Sequence, residues 1–249
     1  MKERGMIFNG EMVRAILDGR KTQTRRIMKV QPEHSELGLR RVVESKNGID
    51  DGKYFWSQSD ATGLKSRSKP FACPFGSVGD RIWVRETWAI LGNEDGCCID
   101  WEEKICKGDE RSAARIYRAS CEQKPNNYGL WSIPDDADWK PYTKDYQYEG
   151  AWRPSIHMPR WASRILLEIT DVRVERLNAI SEEDARAEGI IDGGCLNCGE
   201  PEPCGCANPE PDATDAFAYL WQSIYRQENW DANPWVWVIE FKRVEGGAA

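Results

Sequence analysis

Histidine is nearly absent: the 249 residues hold two, His34 and His157, far apart in the chain. His157 lies in Pro154-Ser155-Ile156-His157-Met158-Pro159-Arg160-Trp161, and neither histidine belongs to a recognisable motif. No nucleophile elbow is present around which a Ser-His-Asp machine would be built. Gly76-x-x-Gly79 and the other glycines form no phosphate-loop pattern. No apolar run approaches the roughly 18 residues that a membrane helix needs, so no membrane partner is expected. The charged start, Met1-Lys2-Glu3-Arg4-Gly5, is followed by no apolar signal region, and a cytoplasmic location is expected. Internal repeats are lacking too. An excess of positive charge is also missing: the net charge of −7 argues against a protein that coats nucleic acid generally.

The charge that is present is unevenly spread. Residues 1–41 carry ten Lys/Arg against five Asp/Glu, so an N-terminal segment of +5 precedes a body of −12. Such a segment suits a local anionic ligand, a phosphate or a stretch of RNA, and equally a solvated face. Twelve tryptophans can supply core packing or stacking surfaces. The length allows one large domain or two small ones; we expect a single domain over 1–249, with insertions at about 31–70, 91–154 and 191–211.

The densest chemistry lies in Ile16-Leu17-Asp18-Gly19-Arg20-Lys21-Thr22-Gln23-Thr24-Arg25-Arg26. Before it, residues 8–19 read as a helix. Asn9 is its N-cap, Phe8 and Val13 form a hydrophobic staple, and Gly19 ends it in the left-handed conformation. Residues 20–30 leave as a candidate strand. Residues 31–70 are polar and rich in turn formers, which suggests an inserted loop or hairpin. Strands are expected at 81–88 and 234–244 from alternation, and at 163–174, with another candidate at 114–118 inside the second insertion. Short helices are expected at 180–189, with Ser181 as cap and Gly189 as end, and at 212–226, where Phe217, Leu220, Trp221 and Ile224 share a face. Short helices between separated strands indicate an α+β fold, with a small barrel as the candidate architecture.

Three groups carry candidate chemistry. A lysine directly after a helix-ending glycine is held close to rigid backbone. If desolvated, Lys21 would shed its proton more easily and serve as a base. Thr24, three residues on, supplies a hydroxyl, the minimum of an activated nucleophile. The bland alternative has Lys21, Arg25 and Arg26 binding phosphate and Thr24 as a plain strand residue. Glu188 sits in the last turn of its helix, where a carboxylate opposes the dipole unless a cation is near. Cys195-x-x-Cys198 and Cys204-x-Cys206 form a candidate structural zinc cluster. Four thiolates leave no open position for catalysis, and free thiols in a loop are the alternative.

Gly19-Arg20-Lys21-Thr22-Gln23-Thr24-Arg25-Arg26 resembles the G-x-K-x-x-E-x-R signature of the ASCH family, whose fold is the PUA-like small β-barrel. Gly19, Lys21 and Arg26 match, and Thr24 replaces the glutamate. One branch of the family, the bacterial N(4)-acetylcytidine amidohydrolases, has threonine there. Ser181-Glu182-Glu183-Asp184-Ala185-Arg186-Ala187-Glu188 is similar to the segment bearing that branch's catalytic glutamate, which falls on Glu188. Val78-Gly79-Asp80-Arg81-Ile82 and Trp237-Val238-Ile239-Glu240-Phe241-Lys242 resemble its Gly-Asp turn and final strand. The blocks cover about half the chain. The amidohydrolases are much shorter, and the long polar insertions look more like those of ASCH proteins from phages and prophages.

The resemblance implies a hydrolase that removes the acyl group of N(4)-acetylcytidine or a related modified nucleoside. Lys21, Thr24 and Glu188 would be catalytic and Arg25 and Arg26 would bind substrate. No cofactor is implied for the chemistry. Its rival is a non-catalytic, RNA-binding PUA-like module that recognises single-stranded RNA by charge and stacking. A third reading is a protein whose insertions bind another protein.

Overall fold

The structure is a computed structural model. It describes residues 1–60, 62–92, 97–102, 104–121, 152–191, 205, 207 and 213–244. In chain order, strand β1 (Glu3–Ile7) leads into helix α1 (Gly10–Leu17) and β2 (Gln23–Ile27). There follow β3 (Gly38–Arg41), β4 (Tyr54–Asp60), β5 (Gly63–Ser66), β6 (Arg81–Arg85), β7 (Trp88–Ile90) and β8 (Arg115–Tyr117). Helix α2 (Arg118–Cys121), β9 (Leu166–Arg176), α3 (Glu182–Ala187), α4 (Ala213–Tyr225), α5 (Gln227–Asp231) and β10 (Trp235–Arg243) complete the described elements. The α+β class expected from the sequence is what is observed.

The main sheet has the order β1-β6-β9-β10-β2. β1 runs parallel to β6, and every other pair is antiparallel. β10 is buried along most of its length and sorts its side chains between two layers. Trp237, Ile239 and Phe241 join the main core with Phe8, Val13 and Ile16. Val236 and Val238 join a second cluster with Ala185 of α3 and Phe217 and Trp221 of α4. A strand covered on both faces reads as a nearly continuous apolar run, and Trp235 to Ile239 does so.

No backbone ladder joins the outer strands β1 and β2 among the described residues, so the expected closed barrel is not formed by strand pairing. The two edges are nevertheless close. Arg26 of β2 donates from Nη2 to the carbonyl of Ile7 in β1 at 2.9 Å and lies over the Phe8 ring. The sheet is therefore curled, with a side chain spanning its open seam.

The segment 31–70, expected as a loop or hairpin, forms the three-stranded antiparallel sheet β3-β4-β5. It is also part of the main core. Leu37 and Trp56 are buried in it, and Trp56 packs on Trp235 with ring centroids 5.4 Å apart. β7, just before the second expected insertion, pairs with β8 within it, and Ala89, Leu91, Ile99, Ala114 and Ile116 bury a small core of their own.

Local signals place the site. Asn9 Oδ1 accepts from the Met12 amide at 2.8 Å, satisfying a free donor of α1. Gly19 follows the helix with φ +78°. Ser181 Oγ accepts from the Asp184 amide at 3.1 Å to start α3. Glu182 of α3 then reaches across to start α4. Its carboxylate accepts from the amides of Ala213 at 3.1 Å and Thr214 at 3.0 Å, and from the Thr214 hydroxyl at 2.8 Å.

Candidate functional site

Two turns that end helices meet here. The chain leaving α1 and the chain leaving α3 form an isolated antiparallel bridge, with Lys21 opposite Glu188. The Lys21 amide donates to Ala15 O at 3.0 Å and the Thr22 amide to Ala187 O at 2.8 Å. The bridge needs Gly189, which has φ +91°; a Cβ there would stand 2.8 Å from Ala15 Cβ and 3.0 Å from Lys21 Cβ. Only glycine gives both the left-handed backbone and the clearance.

Side chains repeat the backbone pairing. Lys21 Nζ donates to Glu188 Oε2 at 2.5 Å and to the Glu188 carbonyl at 2.8 Å. Both side chains are withdrawn from water, Lys21 at 0% and Glu188 at 3% exposure. Burial pushes the Lys21 ammonium below its ordinary value. Glu188 opposes this, and the charges of Arg26 and Arg25 add to it. A lysine so placed gives up its proton more readily than one in water.

Arg25 completes the cluster. Its side chain is fully buried; Nη1 lies 3.6 Å from Glu188 Oε1, and Nη2 donates to Asp184 Oδ2 at 2.9 Å and Glu175 Oε2 at 3.2 Å. Arg25 Nη1 also donates to Gln23 Oε1, and Gln23 Nε2 donates to Asp184 Oδ1 at 2.9 Å. Arg25, Gln23 and Asp184 thus close a ring of hydrogen bonds, with the Phe217 ring 5.9 Å from the guanidinium carbon. Arg173 adds a further pairing to Asp184 at 2.9 Å. Burial works against the Asp184 anion, but the Gln23 hydrogen bond and the charges of Arg25 and Arg173 hold its carboxyl below the usual range.

The remaining expected residues fall as follows. Thr24 is buried in β2 opposite Ile239, on the strand face that meets the main core, while Gln23 and Arg25 turn toward α3. Both hydrogen-bond partners of Lys21 Nζ are atoms of Glu188, and the Thr24 hydroxyl is not one of them. Arg26 is spent on Ile7, Phe8 and, at 3.4 Å, the Tyr225 hydroxyl. Cys195, Cys198, Cys204 and Cys206 lie outside the described residues. Among the described residues no group of three or more His, Cys, Asp or Glu is arranged to hold a metal, and no helix is long and apolar enough to cross a membrane.

A cleft of about 770 Å³ opens beside the pair, between α1 and α4. Met12, Ala15, Arg20, Ile190 and Leu220 line it, and Glu188 forms part of its wall. Arg20 secures one rim by donating to Gly189 O at 2.9 Å. The Glu188 carboxylate thus stands at the edge of a mixed apolar and polar recess, with Lys21, whose ammonium is pushed below its ordinary value by burial, directly behind it.

Sequence reasoning passed over Asp184, Gln23, Glu175 and Arg173. One signal was available for Asp184. It stands four residues before Glu188, and two carboxylates at that spacing share a helix face and repel unless a cation lies between them. Comparison with protein-family models, with curated proteins and with solved structures gives no match.

Proposed function

We propose that the protein is an ASCH-type hydrolase that removes the acyl group from the exocyclic amine of N(4)-acetylcytidine or a related modified nucleoside. The observation that carries this reading is the buried Lys21–Glu188 pair beside an open cleft. By resemblance to the amidohydrolases, a neutral Lys21 Nζ would take the proton from the attacking Thr24 hydroxyl; since both partners of Lys21 are here atoms of Glu188, the step requires Thr24 to come within hydrogen-bond reach of Lys21. The hydroxyl oxygen would bond to the acyl carbon, and the carbon–nitrogen bond would break as Lys21 returns its proton to the leaving amine. Water, activated by Glu188, would then cleave the acyl-threonine ester. The sum is acylated cytidine plus water giving cytidine plus carboxylic acid.

The same reading takes the fold as PUA-like. The curled sheet supports it, with edges β1 and β2 bridged by Arg26 where a complete barrel would pair them by backbone.

Incubation with N(4)-acetylcytidine, followed by the absorbance change on release of cytidine, tests the proposal. Turnover that falls by about 10²-fold or more in Lys21→Ala and Glu188→Ala is expected. No turnover by the folded wild-type protein, together with salt-dependent binding of single-stranded RNA, would replace it with an RNA-binding module.

A further inference from the structure

Asp184, in the first turn of α3, and Glu188, at its end, are four residues apart, and their carboxylates both face Arg25. Two buried or half-buried anions at that spacing repel. Arg25 resolves the repulsion with one guanidinium, at 2.9 Å from Asp184 and 3.6 Å from Glu188. Its fork is not free to serve both equally. The ring through Gln23 fixes it on Asp184, while Glu188 Oε1 accepts no hydrogen bond and meets Arg25 only as a charge. The other oxygen, Oε2, is thereby left to Lys21.

We infer that Arg25 is a positioning residue, locked by Asp184 and Gln23, whose buried charge orients the Glu188 carboxylate toward Lys21 and sets how readily Lys21 holds its proton. As a device for the amine and carboxylate used in hydrolysis, it rests on the function proposed above. Among the described residues, three charged groups act on Lys21. Glu188 faces it from the end of α3, and Arg25 and Arg26 act on it from β2. Asp184, Glu175 and Arg173 surround Arg25 one step further out. The chain around α1 brings Ala15 against Lys21, with the Arg20–Asp18 pair at the rim, and α4 presents Phe217 to Arg25. Among the described residues, Arg26 and Arg25 are the cations that oppose protonation of Lys21, and Arg25 is the one in contact with its partner.

The sign of the effect separates positioning from mere scaffolding. Arg25→Met removes a positive charge, so the Lys21 titration midpoint moves up. Asp184→Asn removes a negative charge and frees Arg25 to pair with Glu188, so the midpoint moves down. Simple loosening of the cluster would admit water and move both up, toward ordinary lysine.

The experiment is NMR titration of ¹³C-lysine-labelled full-length protein, with the Lys21 signal assigned by its loss in Lys21→Met. Opposite movements in Arg25→Met and Asp184→Asn, with a near wild-type midpoint in Arg25→Lys, are expected. Unmoved midpoints, or upward movement in both, overturn the inference. Should Arg25→Met fail to fold, the direction in Asp184→Asn decides alone. No substrate enters this titration, so it fails or succeeds apart from the turnover assay. Failure of turnover alone would refute the hydrolase and leave the coupling of Arg25 to Lys21 standing.

Discussion

Lys21 and Glu188 are joined twice, once by a backbone bridge and once by an ion pair, across a separation of 167 residues. The double connection makes the pair a structural clamp as well as a candidate catalytic unit, and the two roles have different signatures in mutants.

Removing one partner leaves the other charge, or its polar remnant, buried without compensation. Lys21→Met and Glu188→Gln are each expected to cost about 3–5 kcal/mol in urea denaturation. The double variant should lose less than the sum of the singles, because no orphan charge remains. Strictly additive losses would mean that the pair is not coupled in the folded protein.

Gly189→Ala tests the clamp without touching a charge. The new methyl meets Ala15 and Lys21 at 3.0 Å or less, on a backbone with φ +91°. We expect a loss of about 1–3 kcal/mol and a fall in turnover, since the bridge must open to admit the Cβ. A variant as stable and as active as wild type would show that the bridge is not needed.

Lys21 dictates the pH dependence of the proposed reaction. Burial lowers its value, Arg26 and Arg25 help, and Glu188 opposes. A base acts when neutral, so kcat/KM should rise with pH and level off below the ordinary lysine value of about 10.4. A rate still climbing through that value would assign the base to another group.

Asp184 contributes to the acid limb of stability. Its folded carboxyl lies below the ordinary value through the Gln23 bond and the charges of Arg25 and Arg173, despite burial. The stabilisation is therefore complete above about pH 3.9 and is lost as pH falls through the folded value. Urea midpoints measured from pH 5 downward should decline less steeply in Asp184→Asn than in wild type. Parallel declines would place the acid sensitivity elsewhere.

What could be read from the chain was mostly local. Asn9, Gly19, Ser181 and Gly189 announced the ends of two helices because capping uses neighbours three or four residues away. The strands β9 and β10 were legible for the same reason, as local runs of strand-forming residues. β1 was not: Met6 is buried, but Glu3, Arg4 and Gly5 gave the segment no strand signature, and its parallel partner β6 lies far along the chain, with Glu3 opposite Arg81. The polar run 31–70 concealed a core contribution because Leu37 and Trp56 are few among many turn residues. Arg25, read as an anion contact from charge alone, turns inward because register with Val238 aims it at α3. The meeting of Lys21 with Glu188 was suggested only by resemblance, since nothing within either segment specifies a partner 167 residues away.

The Glu182 carboxylate that starts α4 also bears on how the chain can change. Gly189 is tied back to α1 through Arg20, and Ala213 to α3 through Glu182, so both ends of the 190–212 span are fastened independently of what lies between. Glu182 thus sets where α4 begins, and with it where Leu220 stands on the cleft wall. A change at Glu182, far from any substrate contact, would be felt in the shape of the recess rather than in the lysine–carboxylate pair itself.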